Sequence, residues 1–87
     1  MAKLANVAFD MWHELGRREV SRRSLRGGLN LELYKLEEVH ELRLSRPAVV
    51  PSETEIEICR KLFGVPPDAE REGDNTTVVL RWPRWTE

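Results

Sequence analysis

The sequence has little of the material from which most catalytic and metal sites are built. Its 87 residues include a single cysteine, Cys59, and two isolated histidines, His13 and His40. A lone cysteine excludes a disulfide within the chain, and the lack of a Cys/His cluster excludes a zinc site. P-loop and Gly-x-Gly-x-x-Gly motifs are also missing. We therefore expect a protein that is not an enzyme and that has no catalytic residue, metal or cofactor.

Long apolar runs and a strong net charge are missing too. No run approaches the roughly 18 residues of a transmembrane helix, and no signal peptide is recognisable. These absences predict a cytoplasmic protein with no membrane partner. The formal net charge is −1, so the charge of the whole chain does not indicate a nucleic-acid partner. Any such partner has to use a local patch.

What is present is sufficient for one small folded domain. Hydrophobic residues make up 40% of the chain and charged residues 33%, a balance typical of globular rather than disordered proteins. A core built from so short a chain is thin, and association into a dimer would support it.

Helical patterns dominate the first half of the chain. Residues 2–15 carry apolar side chains at helical spacing and predict an amphipathic helix. Ser21 has the character of an N-cap and opens a predicted short helix over residues 21–27. Residues 27–30 (GGLN) predict a turn, because Gly and Asn accept a left-handed backbone. A third helix is predicted over residues 31–42.

The second half of the chain contains two further predicted elements. Ser52 and Glu55 have the spacing of a capping box at the start of a fourth helix, which ends near Phe63. Residues 68–75 are polar and predict a loop. The β-branched run of residues 76–82 predicts a strand that ends at Pro83.

Several features of residues 17–66 form a pattern. Ser21 and Arg22 open the second helix, Asn30 stands in its turn, and residues 51–65 run from a Pro-Ser helix start to a Phe-Gly-Val stop. Apolar residues recur at Leu25, Leu29, Leu31, Leu36 and Val39. This pattern resembles the Cro/repressor type of helix-turn-helix, the Xre-like family.

The resemblance implies a mostly α domain of four to five helices with a C-terminal β-strand or extended arm. Residues 1–67 would form the helix-turn-helix part, and residues 68–87 a polar loop and the strand or arm of the same domain. It also implies a sequence-specific, dimeric transcriptional regulator whose third helix lies in the major groove of duplex DNA. The implied DNA-binding residues are Arg17, Arg18, Arg22, Arg23, Arg26, Asn30, Tyr34 and Lys35.

The charge distribution leaves alternatives open. The arginines of residues 17–26 suit phosphate contacts, but they could equally pair with neighbouring glutamates as an ordinary solvated face. Residues 31–42 carry four glutamates against Lys35, a sum of −3 that fits a DNA groove badly. One alternative is a small protein-binding adaptor or modulator with this acidic third helix as its contact surface. Another is a plain helical domain without a recognition role.

The predicted C-terminal strand bears on the oligomeric state. One strand cannot stand alone, and pairing with a symmetry mate through Val78, Leu80 and Trp82 would give a homodimer. The alternative is that these three side chains only pack over the helices. Trp85 adds apolar surface after Pro83.

Overall fold

The computed structural model describes residues 4–84, which form two helices and a five-stranded antiparallel sheet. The elements are α1 (Leu4–Leu15), β1 (Val20–Ser24), β2 (Asn30–Lys35), β3 (Val39–Ser45), α2 (Glu53–Leu62), β4 (Glu70–Gly73) and β5 (Thr77–Pro83). The strands lie in the order β1-β2-β3-β5-β4. A single 3-10 turn at Arg26–Gly28 connects β1 to β2.

The mostly α fold expected from the sequence is wrong, since the chain is an α+β protein. Residues 21–27, expected as a helix, form most of β1 and the turn after it. Residues 31–42, expected as the third helix, form most of β2 and the start of β3. Leu36, one of the positions that match the family's helix spacing, is 42% exposed between these two strands.

Alternation of period two explains the change from helix to strand. Along β2, Leu31 and Leu33 are fully buried, while Glu32 and Tyr34 lie on the opposite face. Leu33 lies opposite Leu42 of β3, which in turn lies opposite a leucine of β5. A single helix cannot place residues two apart on one face. The pairing of leucines across three strands therefore outweighs the helical spacing.

Both helices cover the leucine face of the sheet. The predicted N-terminal helix is confirmed over residues 4–15, and the predicted fourth helix is confirmed as α2. Each helix has one apolar stripe that packs on the sheet. The residues that the helices bury are Val7, Ala8, Met11, Leu15, Ile56 and Cys59.

The predicted capping box at the start of α2 is confirmed. The Glu55 backbone N–H donates to the Ser52 hydroxyl at 3.2 Å, and the Ser52 backbone N–H donates to the Glu55 carboxylate at 3.0 Å. Arg46 also donates to the Glu55 carboxylate. Gly64 follows the end of the helix with a φ of 67°, a conformation that glycine adopts without strain.

The turn predicted at residues 27–30 connects two strands rather than two helices. Gly27 and Gly28 adopt φ angles of 82° and 81°, which only glycine accepts readily. Asn30 was expected in a left-handed conformation, but it is the first residue of β2. Within residues 4–84, no residue other than glycine has a positive φ.

The predicted C-terminal strand is confirmed as β5, but it lies inside the sheet. It pairs with β3 on one side and with β4 on the other. The four residues of β4 fall within the stretch expected to be a loop, and all of them are exposed. Pro83 is the last residue of β5. Trp85 lies outside the described residues.

Candidate functional site

Three of the eight residues expected to bind DNA come together in one cleft, where a fourth cation joins them. The cleft has a volume of about 520 Å³ and lies at the end of the sheet where β1 begins. Its positive side chains are Arg17, Arg18, Lys35 and Arg84. We refer to it as the basic cleft.

Local backbone bonds place the first two arginines. After α1 ends, the backbone N–H groups of Arg17 and Arg18 both donate to the Glu14 carbonyl at 3.0 Å. The chain then enters β1, and the Glu19 carbonyl accepts from the backbone N–H of Lys35 at 2.9 Å. The end of α1 and the end of β2 are thereby held side by side.

Arg84 reaches the basic cleft from the end of β5. Its Nη1 donates to the Leu36 and Glu37 carbonyls at 2.8 and 2.9 Å, and its backbone N–H donates to the Glu38 carbonyl at 3.0 Å. Sequence reasoning missed Arg84, since it lies 48 residues from Leu36 in the chain. No local pattern indicates such a contact.

The basic cleft carries an excess of positive charge. Among residues 4–84, its lining holds four cations and two acids, Glu19 and Glu37. Among the described residues, Arg17, Arg18 and Lys35 have no carboxylate within ion-pair distance of their side chains. Arg18 acts on Glu14 only at longer range, where its charge contributes to lowering the pKa of that carboxyl. The excess positive charge of the cleft attracts an anion, and arginine forks suit carboxylates and phosphates.

The pKa of His40, which lies beside the cleft, is affected by this positive charge. Its pKa is lowered from the usual value by partial burial and then by the nearby charges of Arg84 and Lys35. The His40 ring packs edge-on against Trp12, with ring centroids 5.0 Å apart, and lies 5.6 Å from Trp82. These rings and Phe63 line an adjacent pocket of about 440 Å³ that shares Arg84 with the basic cleft.

The sheet face away from the helices neutralises its own charges. Arg22 lies 3.5 Å from Glu32, which also accepts a 2.8 Å bond from the Tyr34 hydroxyl. Arg43 and Arg81 each donate through Nε to the Glu41 carboxylate at 2.7 Å. The arginine and tyrosine expected here at a DNA surface, Arg22 and Tyr34, are thus engaged within the chain.

Glu41 is the buried centre of that network, with 4% of its surface exposed. Burial alone would raise the pKa of its carboxyl, but the hydrogen bonds from Arg81 and Arg43 prevail and lower it. The Glu41 carboxylate is therefore paired with Arg43 and Arg81 inside the fold and is not available to a basic partner.

The remaining predicted residues lie around β1 and its turn. Arg23 donates to Glu14 at 3.1 Å, and Ser21 donates to the same oxygen at 2.6 Å. The Asn30 side chain accepts a 2.8 Å bond from the Ser24 hydroxyl. Arg26 is exposed in the turn, away from the basic cleft. Of the five arginines in residues 17–26, two are thus neutralised by glutamates of this chain.

The residues expected at a dimer interface belong to the core. Val78, Leu80 and Trp82 are between 3% and 5% exposed, and they lie on the sheet face covered by the helices. Both edges of β5 are paired within the chain. A symmetry mate therefore cannot pair with this strand, and the structure agrees with the alternative in which these side chains pack over the helices.

Side chains suited to chemistry are few among residues 4–84. The pKa of the Cys59 thiol is raised to about 11 by its burial and by the charge of Glu55, so it stays protonated at neutral pH. His13 lies on the exposed side of α1 against Phe9. The described residues contain no group of three or more His, Cys, Asp or Glu side chains that could hold a metal ion.

Comparison of the chain with protein-family models, with curated proteins and with solved structures finds no match. Neither of the two helices within residues 4–84 is long and apolar enough to cross a membrane. Inference about function therefore rests on the geometry of the basic cleft.

Proposed function

We propose that this protein is a small, non-enzymatic adaptor that binds an acidic segment of a partner protein in the basic cleft. The observation that carries the proposal is the gathering of Arg17, Arg18 and Lys35 in one cleft without an ion-pair partner among the described residues. A cytoplasmic location, expected from the sequence, is part of the proposal.

The rest of the charge distribution supports the cleft as the contact site. The other basic side chains near it, Arg22 and Arg23, are paired with Glu32 and Glu14. Like charges that lie close together without counter-charges destabilise a fold. Among Arg17, Arg18, Arg22 and Arg23, only the two in the cleft are left in this state. Carboxylates of a ligand remove the repulsion and gain charge-assisted hydrogen bonds.

The proposed partner is acidic, whereas an acidic third helix would have required a basic partner. That helix does not form, and its glutamates are distributed over a hairpin. Glu32 and Glu41 are paired with arginines of the same sheet face. Within residues 4–84, Glu37 and Glu38 form no ion pair, but in the lining of the basic cleft the cations outnumber the acids, so an acidic partner fits this site better than a basic one.

Duplex DNA fits the geometry less well than an acidic segment. Regulators of the helix-turn-helix type insert a helix into the major groove, and the segment expected to supply it forms β2 and β3. Three unpaired cations on one cleft can neutralise about three phosphates, which gives weak, strongly salt-dependent binding without base readout.

The proposal is tested by fluorescence anisotropy with a labelled glutamate-rich peptide of about ten residues, at low and at physiological salt. We expect binding of the acidic peptide that weakens with salt, and no binding of a lysine-rich peptide of equal length. The double variant R17E/R18E should weaken binding at least about tenfold, which corresponds to roughly 1.4 kcal/mol.

The matched control is R26E. Arg26 is also an exposed arginine without an ion pair among the described residues, but it lies in the β1–β2 turn outside the cleft. We expect R26E to bind the acidic peptide nearly as well as the unaltered chain. Absence of peptide binding at low salt, equal losses for both variants, or tighter binding to a DNA duplex would contradict the proposal.

A further inference from the structure

β1 presents an unpaired edge of the sheet directly after the basic cleft. It is the first strand in the sheet order, and within residues 4–84 it pairs only with β2. The Glu19 carbonyl and the Leu25 N–H both bond to the β2 side. Because backbone groups alternate along a strand, the N–H and C=O groups of Val20, Arg22 and Ser24 face outward.

We propose that the acidic segment binds as an additional strand on this outer edge of β1. Its backbone would exchange hydrogen bonds with Val20, Arg22 and Ser24, while its acidic side chains reach Arg17 and Arg18 where β1 leaves the cleft. This inference rests on the proposed function and specifies how that partner is recognised. Main-chain bonds supply affinity in such strand addition, and side chains supply specificity.

The charges along the edge select an acidic strand over a second copy of this chain. Pairing of two β1 strands about a two-fold axis centred on Arg22 places one Arg22 opposite the other, and like charges opposite each other destabilise a sheet. The Arg22 side chain is 64% exposed, so it lies within reach of an added strand. Because Arg22 already lies 3.5 Å from Glu32, the attraction for the carboxylates of an added strand comes from Arg17 and Arg18 at the start of the edge.

The opposite edge of the sheet is less suited to strand addition. β4 has four residues, ends at Gly73 and carries Glu70 and Glu72. Short, charged edge strands protect a sheet from further pairing. The β4 edge of a second copy nevertheless carries Glu70 and Glu72, whose charge would suit β1, so self-association is measured as an outcome of the test.

The β1 edge is held in place before any partner binds. Ser21 is buried and donates to Glu14 of α1, which fixes the strand under the helix. The outward carbonyl of Arg22 accepts a 2.7 Å bond from Arg23 Nη1 of the same chain. An incoming N–H has to displace that bond, but the Arg23 guanidinium keeps its contact with Glu14. A preformed edge lowers the entropic cost of binding.

Two variants at one position separate the backbone contribution from the charge contribution. R22P removes an N–H that faces outward, and proline is tolerated at such positions of edge strands. R22A removes the same side chain but keeps the N–H. We expect R22P to bind the acidic peptide at least about tenfold more weakly than R22A, with both variants folded by circular dichroism.

The decisive test modifies the peptide, so it does not depend on the fold of a variant. Two versions of an acidic peptide carry the same number of N-methyl groups, one version on alternate residues and the other on an unbroken central run. In a strand, alternate N–H groups face opposite edges, so the first version keeps one free edge and should bind, whereas the second has both edges blocked and should lose binding. Both versions have the same charge and length.

The outcomes distinguish this inference from the function on which it rests. Equal binding by both methylated peptides and the unmodified peptide overturns strand addition but leaves recognition of acidic segments intact. Failure of the unmodified peptide to bind overturns both. Sedimentation of the chain alone should show a monomer, and growth of its mass with concentration would assign the β1 edge to a second copy instead.

Discussion

Ser21 of β1 donates a 2.6 Å hydrogen bond to the Glu14 carboxylate of α1. The bond joins the first helix to the edge strand, and Ser21 itself is 1% exposed. The pKa of Glu14 is lowered by this hydrogen bond and by the one from Arg23. Since the basic cleft lies where α1 passes into β1, the pair fixes the geometry of the proposed binding surface.

Removing that buried donor should loosen the edge strand. Ser21→Ala is expected to lower the free energy of unfolding by about 1–2 kcal/mol, because it deletes a buried hydrogen bond to a charged acceptor. Urea denaturation measures the loss, and amide exchange should show faster opening of β1 than of β3. Ser24→Ala, at an exposed position of the same strand, should change little. Equal effects of the two changes would mean that the Ser21–Glu14 bond does not anchor the edge.

The charge network on the outer sheet face should depend on its buried member. Glu41→Gln is expected to cost about 1–3 kcal/mol of unfolding free energy, since two arginines lose a charged acceptor. Glu72→Gln removes an exposed partner of Arg81 and serves as the control, with little expected change. Urea melts at neutral pH compare the two. A neutral effect of Glu41→Gln would show that the network is not a source of stability.

Protonation of Glu55 should contribute to the loss of stability at acidic pH. Hydrogen bonds from Arg46 and from the Ser52 backbone lower its pKa to about 2, against an ordinary value of 4.5. A carboxyl whose pKa is lower in the folded chain binds fewer protons there, so its stabilisation is complete above about 4.5 and is lost as the pH falls toward about 2. Glu55→Gln should flatten the loss of stability in this range, measured by thermal melts. If Glu55→Gln loses stability in acid as steeply as the unaltered chain, this role of Glu55 is contradicted.

Ligand binding should change the titration of His40. Burial, Arg84 and Lys35 lower its pKa in the free protein, so protonation becomes easier when an anion neutralises the cleft. We expect the acidic peptide to raise the His40 pKa, measured by NMR of the imidazole signals with and without peptide. No shift at saturating peptide would place the ligand away from the cleft.

Parts of the fold could be predicted because their signals are local. The apolar stripe of α1, the capping box at Ser52 and the β-branched run of β5 each lie within about a dozen residues, where propensity and capping decide. The helix predicted over residues 31–42 was wrong because apolar residues at helical spacing and the alternation typical of a strand coexist there. Pairing with β3 and β5, which lie later in the chain, decides between them.

Other parts carried no local signal at all. β4 exposes all four of its residues, and it pairs with β5, which follows it in the chain. Arg84 joins the basic cleft through carbonyls of Leu36 and Glu37, a contact set by the register of the sheet. The sequence did indicate Arg17, Arg18 and Lys35 as binding residues, but only the sheet shows that they share one cleft.

The most direct measurement of the central claim is a backbone amide NMR titration of the chain with the acidic peptide. Binding to the basic cleft and the β1 edge should shift the amides of residues 16–24 and 35–37 with one common affinity. The amides of α2 and β4, on other parts of the surface, should stay unchanged. Shifts concentrated on α2 or β4, or no shifts at low salt, would contradict the account.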